Sequence, residues 1–367
     1  MQEKKIKITR RDFLAGSGAL VLTGLLGGCT AETVTSTVNT TKTSTLISTI
    51  TEGLIATETR TETSTVTDTA TETSTVTETV TSSAQPAART IIDDLEREVT
   101  LPDTMDRVLV LTKGMMDEVY ELGVVVVGKV EEYKNRQELI DLPSVGAQAT
   151  PDIEAIYALQ PDIIIANSRQ HTAMEESLES TGATVVFVNP NLYDINPLLG
   201  RTSFVAEVLN RQAEYETYAN RIETLCTELA AKIAPAGYAT SLVIMGGSEN
   251  IQVANPGGTF GALFPSLGIE NIIGWDLPGS SESTWISYDA ETIIQEDPDV
   301  ILLKTSSNKA ADNQTILDEF LASSVWQPLS AVANGKVFIL PGKASPGNMS
   351  LSDMLQTVAE TVYAEGF

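Results

Sequence analysis

The chain has 367 residues, 49 acidic and 23 basic, for a net charge of −26. Such a charge repels polyphosphate, which excludes nucleic acid as a partner. Two cysteines and one histidine cannot build a zinc cage of several Cys or His ligands, and they leave a cysteine hydrolase little to draw on.

Residues 1–29 read as an export address. A basic start (Lys4, Lys5, Lys7, Arg10, Arg11) precedes an apolar stretch over 13–26 and then Gly27-Gly28-Cys29, the charge order of a signal peptide. Arg10-Arg11-Asp12-Phe13-Leu14 resembles the twin-arginine export motif. Leu26-Gly27-Gly28-Cys29 resembles a bacterial lipobox, in which Cys29 becomes the lipidated first residue of the mature chain. About 14 apolar residues are short of the ~20 that a spanning helix needs. The expectation is an exported protein, lipid-anchored through Cys29 to the outer face of the cell membrane. Cys226 is then the single free thiol, and stability must come from packing.

Residues 30–88 turn to Thr, Ser, Glu and Val, and 61–80 read TETSTVTDTA then TETSTVTETV. A ribbon without a sizeable apolar face cannot offset its ordering entropy. These residues are expected to form a disordered, solvated tether. With +3 on residues 1–29 and −5 on 30–88, the body from 89 to 367 holds −24.

The body alternates β-branched runs with helical stretches. Strands are predicted at 107–112, 124–128, 162–166 and 184–188, and helices at 115–122, 152–159 and 173–181, the second opened by Pro151. A second set places strands at 241–245, 300–303 and 337–340, and helices at 261–267, 290–295, 314–322 and 350–364. This alternation predicts an α/β fold with mostly parallel sheets. Between the two sets, 197–234 has amphipathic spacing and no internal proline, which predicts one long helix of ~50 Å. The predicted domains are an N-terminal lobe at 89–196, a linking helix at 197–235 and a C-terminal lobe at 236–367.

The lobes share a phrase. Residues 151–165, PDIEAIYALQPDIII, are echoed at 288–302 by YDAETIIQEDPDVIL. Each puts a glutamate in the first helical turn, then apolar positions, then Pro-Asp before a strand, which is turn chemistry. Glu154 and Glu291 therefore hold equivalent exposed positions, one per lobe.

Together with the opening IDDLEREVTLP at 92–102 and RVLVL at 107–111, the paired glutamate phrases flanking a long helix resemble the substrate-binding proteins of the iron-siderophore, haem and cobalamin ABC importers. The resemblance spans about residues 89–365 and departs at Glu96, where that family more commonly has glycine. It implies two Rossmann-like lobes joined by one long rigid helix, with ligand held between them. It further implies that Glu154 and Glu291 dock to arginines of a membrane permease, which works with its own ATPase subunit. The expected protein is a monomer and not an enzyme.

For the ligand, the loops after the strands are decisive, because ligands of open α/β sheets sit beyond the strands' carboxyl ends. Lys113, Arg169, His171, Lys304, Lys309 and Lys343 fall there, five of them cations in a body with sixteen. They would make a local positive site for an anionic chelate. Trp285 matches a cleft tryptophan of the cobalamin-binding members of the resembled family and could stack on a flat ring, as could Tyr133 and Trp275. The arginine of hydroxamate-binding members appears here as Ala147 or Gln148. Haem would find axial ligands only in His171, Met115 and Met116, apart from tyrosines such as Tyr133. Gly257-Gly258-Thr259 lacks the Walker spacing and reads as a tight turn. The leading reading is an iron-siderophore-type ligand, with cobalamin or another corrinoid, or haem, as the alternative. No cofactor and no protein metal ligand are expected. A lipoprotein hydrolase, for which Gly-x-Ser-x-Gly is missing and His171 would be the only base, and a structural surface adhesin rank below these.

Overall fold

Buried β-branched runs build the first lobe. Strands β3 (Val108–Val110), β4 (Ile163–Asn167) and β5 (Thr184–Val188) form a parallel sheet in the order β5-β4-β3. All of β3 and β4 is buried, as a sheet covered on both faces requires. A hairpin of β1 (Thr90–Ile92) and β2 (Glu98–Thr100) precedes it. Its turn puts Glu96 at φ 60°, a left-handed conformation that explains the glycine preference of the resembled family at this position. The buried Asp93 carboxylate holds the turn, accepting from the Leu95 and Arg97 backbone N–H groups and from the Arg97 guanidinium.

The computed structural model describes residues 89–189, 196–246, 250–280 and 282–367, and of residues 1–88 only the backbone of four short strands. These pair antiparallel, Thr40–Lys42 with Glu62–Ser64 and Thr57–Glu58 with Ser82–Ser83. The export address with Cys29 lies outside the described residues, as does most of the predicted tether. The chain divides into units at residues 1–86 and 87–367, and the second holds both lobes.

Three predictions for this unit need correction. Residues 124–128 form no strand: the Val124 N–H is spent on the Val119 carbonyl, and only Val127 reaches β3, through the Val108 carbonyl at 2.9 Å. Pro151 does not open the second helix, because it lies in a two-residue pairing with Gly146–Ala147. Asp152 caps α2 (Ile153–Leu159) instead. Nor is 197–235 one helix. It breaks into α4 (Gly200–Leu209) and α5 (Gln212–Ile233), after α1 (Lys113–Glu121) and α3 (Glu175–Glu179) earlier in the chain. The break is Asn210 at φ 55°, ψ 50°, a conformation that asparagine tolerates. The Arg211 N–H closes the turn on the Ala206 carbonyl at 2.8 Å.

The break also divides the packing. Phe204, Val205, Val208 and Leu209 of α4 belong to the core of the first lobe. Tyr218, Ile222, Cys226, Leu229 and Ile233 of α5 belong to that of the second. Tyr215 touches both. The linking helix, with 22 residues or about 33 Å, is thus built into the second lobe.

The second lobe has a mixed sheet. β6 (Thr240–Met245) runs parallel to β10 (Val300–Lys304), and β10 to β11 (Val337–Leu340). On its other side β6 pairs antiparallel with β7 (Gln252–Ala254), and β7 with β9 (Trp285–Ser287). The two residues of β8 (Glu270–Asn271) pair with the start of β6. Helices α6 (Thr259–Ser266), α7 (Ala290–Glu296), α8 (Ala310–Ala322) and α9 (Leu351–Val362) complete the lobe.

Candidate functional site

The repeated phrase folds the same way twice. Asp152 accepts hydrogen bonds from the Glu154 and Ala155 N–H groups, and Asp289 accepts one from Thr292. Such caps satisfy helix donors that have no intrahelical partner. Ile156 and Ile293 anchor the two helices as their buried residues. Each helix ends on a left-handed residue, Gln160 at φ 45° and Asp297 at φ 43°. Asp162 then receives the Arg107 N–H, and Asp299 those of Ala239 and Thr240. Glu154 and Glu291 are exposed in the first turns of α2 and α7. Each helix feeds a parallel strand and runs back against it, so each glutamate lies toward the carboxyl edge of its sheet.

That edge is where the lobes meet. Lys113 begins α1, just beyond β3, and its backbone N–H donates to Gln148 Oε1 at 3.0 Å. Its Nζ reaches Asn348 Oδ1 of the second lobe at 3.5 Å, and the Lys134 N–H donates to the Gly347 carbonyl at 3.2 Å. Gly347 has φ +78°, and a Cβ there would stand 2.6 Å from Lys113 Cβ. Only glycine lets the loop after β11 lie this close to α1.

Lys304 is the most unusual group of this region. It is the last residue of β10 and is 6% exposed, so it lies within the strand and not in the loop after it, where it was predicted. Its Nζ donates to the Thr305 and Pro341 carbonyls and lies 5.4 Å from the Phe260 ring centroid. Phe260 packs on Trp285 with centroids 5.6 Å apart. Burial first, and the Lys113 charge second, bring the Lys304 pKa down to about 8. Burial also lowers Lys113, with Lys134 acting the same way and Glu132 opposing. Among the described residues no carboxylate forms an ion pair with Lys304. Lys304 is thus a buried amine that feels the charge of Lys113 in the other lobe and has no counter-charge of its own.

Other predicted residues are placed otherwise. His171 is fully buried; its Nδ1 accepts from the Asn167 N–H at 2.9 Å, and its Nε2 meets the Gln148 carbonyl at 2.7 Å. Burial lowers its pKa, and with both nitrogens engaged the ring has none left for a ligand. Tyr133 is buried, donating to Asp117 Oδ1 at 2.6 Å, and presents no face for stacking. Met115 and Met116 sit in the first lobe's core. Arg169, Lys309, Lys343 and Trp275 are exposed. Among the described residues no group of three or more His, Cys, Asp or Glu side chains is placed to hold a metal ion.

Residues 108–344 match the family described as periplasmic binding protein. The chain belongs to this family. A relative is the Fe(3+)-citrate-binding protein YfmC of Bacillus subtilis, 25% identical over 255 residues, which cover 68% of this chain and 77% of that one. The high-affinity haem uptake system protein IsdE of Staphylococcus aureus is 23% identical over 241 residues, 64% of this chain and 78% of its own. The crystal structure of Staphylococcus aureus SirA complexed with staphyloferrin B superimposes with a TM-score of 0.60 at 20% identity, covering 76% of this chain and 98% of that one. Its likeness is in the fold. The family is one of substrate-binding transport proteins, and the two lobes around a linking helix are the architecture that the resemblance implied.

In this periplasmic binding protein the lobes also share a crevice of about 30 Å³, lined among others by Asp117, Glu118 and Arg201 on one side and Tyr218, Gly347 and Met354 on the other. Arg201 pairs with Glu118 across α1 and α4. Asp117 is bonded through Oδ1 to Tyr133, Asn135 and Arg136, while Oδ2 has no hydrogen-bond partner among the described residues. Burial raises its pKa. The crevice has room for a few waters and is too small for a chelate. Sequence reasoning missed Gly347 and Asn348, because their importance arises only when the loop after β11 reaches the other lobe, and Phe260, because its ring meets Lys304 and Trp285 only once α6 packs on the sheet.

Proposed function

We propose that the protein is an extracytoplasmic substrate-binding lipoprotein, anchored through Cys29, that captures an iron-siderophore-type chelate between its lobes and delivers it to the permease of an ABC importer driven by a separate ATPase subunit. It works as a monomer and catalyses no reaction. The observation that carries this reading is Lys304. An ammonium withdrawn from water, 6% exposed and unpaired by any carboxylate among the described residues, is held at a cost that an anionic ligand would offset. A ferric complex of carboxylates or catecholates supplies that charge, and relatives named for ferric citrate and haem support a chelate as the cargo.

Haem draws less support from the residues, since His171, Met115, Met116 and Tyr133 are all committed to the core. A hydrolase is opposed by the same use of both His171 nitrogens. Glu154 and Glu291, on matched helices, are the contacts offered to the permease. Titration with ferric citrate, followed by tryptophan fluorescence, tests the ligand assignment, with Lys304→Met expected to weaken binding about tenfold or more. Glu154→Lys and Glu291→Lys should abolish iron uptake and leave affinity unchanged, and a weakened affinity would count against the docking role.

A further inference from the structure

The two acidic helices match in cap, anchor and exit, and among the positions where they differ one lies beside the glutamates. Three residues after Glu154 stands Tyr157, 62% exposed. The corresponding residue after Glu291 is Ile294, which packs against the second lobe's core. Residues three apart on a helix are surface neighbours, so α2 offers a carboxylate and an aromatic ring side by side. Among the described residues the Tyr157 ring stacks on no other and its hydroxyl has no hydrogen bond. A ring beside a carboxylate fits one kind of side chain well: the carboxylate takes the donor fork of a guanidinium while the ring lies along its flat face. At α7 the aromatic residue nearest in sequence, Tyr288, packs against the second lobe's core and its hydroxyl donates to Glu296.

We propose that Glu154 and Tyr157 form a composite seat for a permease arginine, so that the first lobe docks through charge and ring and the second through charge alone. This rests on the docking role assigned to the two glutamates. Docking is then unequal at its two ends, and a two-fold permease engages the binding protein through one strong and one weak contact.

The test compares iron uptake by cells carrying Tyr157→Ser, Tyr157→Phe, Glu154→Lys or Glu291→Lys in the full chain, with iron supplied as ferric citrate. The ferric citrate affinity of each purified variant is measured in parallel. Tyr157→Ser should lower uptake about two- to fivefold, the range of an exposed cation–ring contact, with affinity unchanged. Tyr157→Phe should transport like the wild type, because the ring is kept. Wild-type uptake in Tyr157→Ser, equal loss in Tyr157→Phe, or a loss of affinity in either would overturn the composite seat. If the charge reversals also leave uptake intact, or if the wild type imports no ferric citrate, the importer reading beneath it has failed. If the reversals abolish uptake while Tyr157→Ser does nothing, only the seat has failed.

Discussion

Replacing Lys304 by methionine keeps the length of the side chain and removes its charge. The lysine is 6% exposed, and its pKa falls from 10.5 to about 8, a shift that costs about 3 kcal/mol while both folded and unfolded chains are protonated. Below about pH 8 that full cost is present. Between about pH 8 and 10.5 the unfolded chain binds a proton that the folded chain has released, so wild-type stability rises with pH through this window. Lys304→Met should therefore be more stable than wild type at pH 7, by about 1–3 kcal/mol once repacking is allowed for. The gain should fade as pH approaches 10. Urea unfolding at pH 7, 8.5 and 10 measures it, and the difference between the two proteins cancels shared groups that do not interact with Lys304, such as Cys226. The same variant should bind ferric citrate more weakly, so that stability and binding move in opposite directions. A variant less stable at pH 7, or one keeping the wild-type rise from pH 8 to 10, would refute the view of Lys304 as a desolvated, unpaired cation.

Gly347→Ala places a Cβ 2.6 Å from Lys113 Cβ at a φ of +78°, and should cost about 2–4 kcal/mol from overpacking and left-handed strain together; urea unfolding close to wild type would mean that the two lobes are not in contact there. His171→Ala should cost about 2–4 kcal/mol by emptying a buried site and freeing the Gln148 carbonyl and the Asn167 N–H. Because burial lowers the imidazole pKa, the unfolded chain protonates first on acidification, and the stability the wild type has above pH 6.5 is lost as pH falls. In the alanine variant that component should be missing from unfolding curves at pH 5 and 7.

The repeated phrase was legible because its information is local. Capping aspartate, buried isoleucine and Pro-Asp exit all act within fifteen residues, and the two copies fold alike. Strands buried on both faces, such as β4 and β10, announce themselves as continuous apolar runs. Long-range contacts were not legible. Nothing near His171 in sequence reveals that the Gln148 carbonyl will meet its Nε2, so a histidine in a polar loop reads as available when it is buried. Lys304 follows four apolar residues, and a strand extended by one residue turns a loop cation into a buried one. Asn210 could be passed over because asparagine is only a weak helix breaker, and its left-handed turn is decided by how α4 and α5 pack on different cores. The strands β7 and β9 escaped for a related reason, since three residues each are too few to show a period.

The central claim is that Lys113 and Lys304 hold an anionic ferric chelate between the lobes. Calorimetric titration of the wild type and of a Lys113→Met, Lys304→Met double variant with ferric citrate and ferric staphyloferrin B, and with cobalamin as competitor, tests it most directly. The wild type should bind a ferric chelate saturably, the double variant should not, and cobalamin should not compete. Undiminished chelate binding by the double variant, or preferential binding of cobalamin, would contradict it.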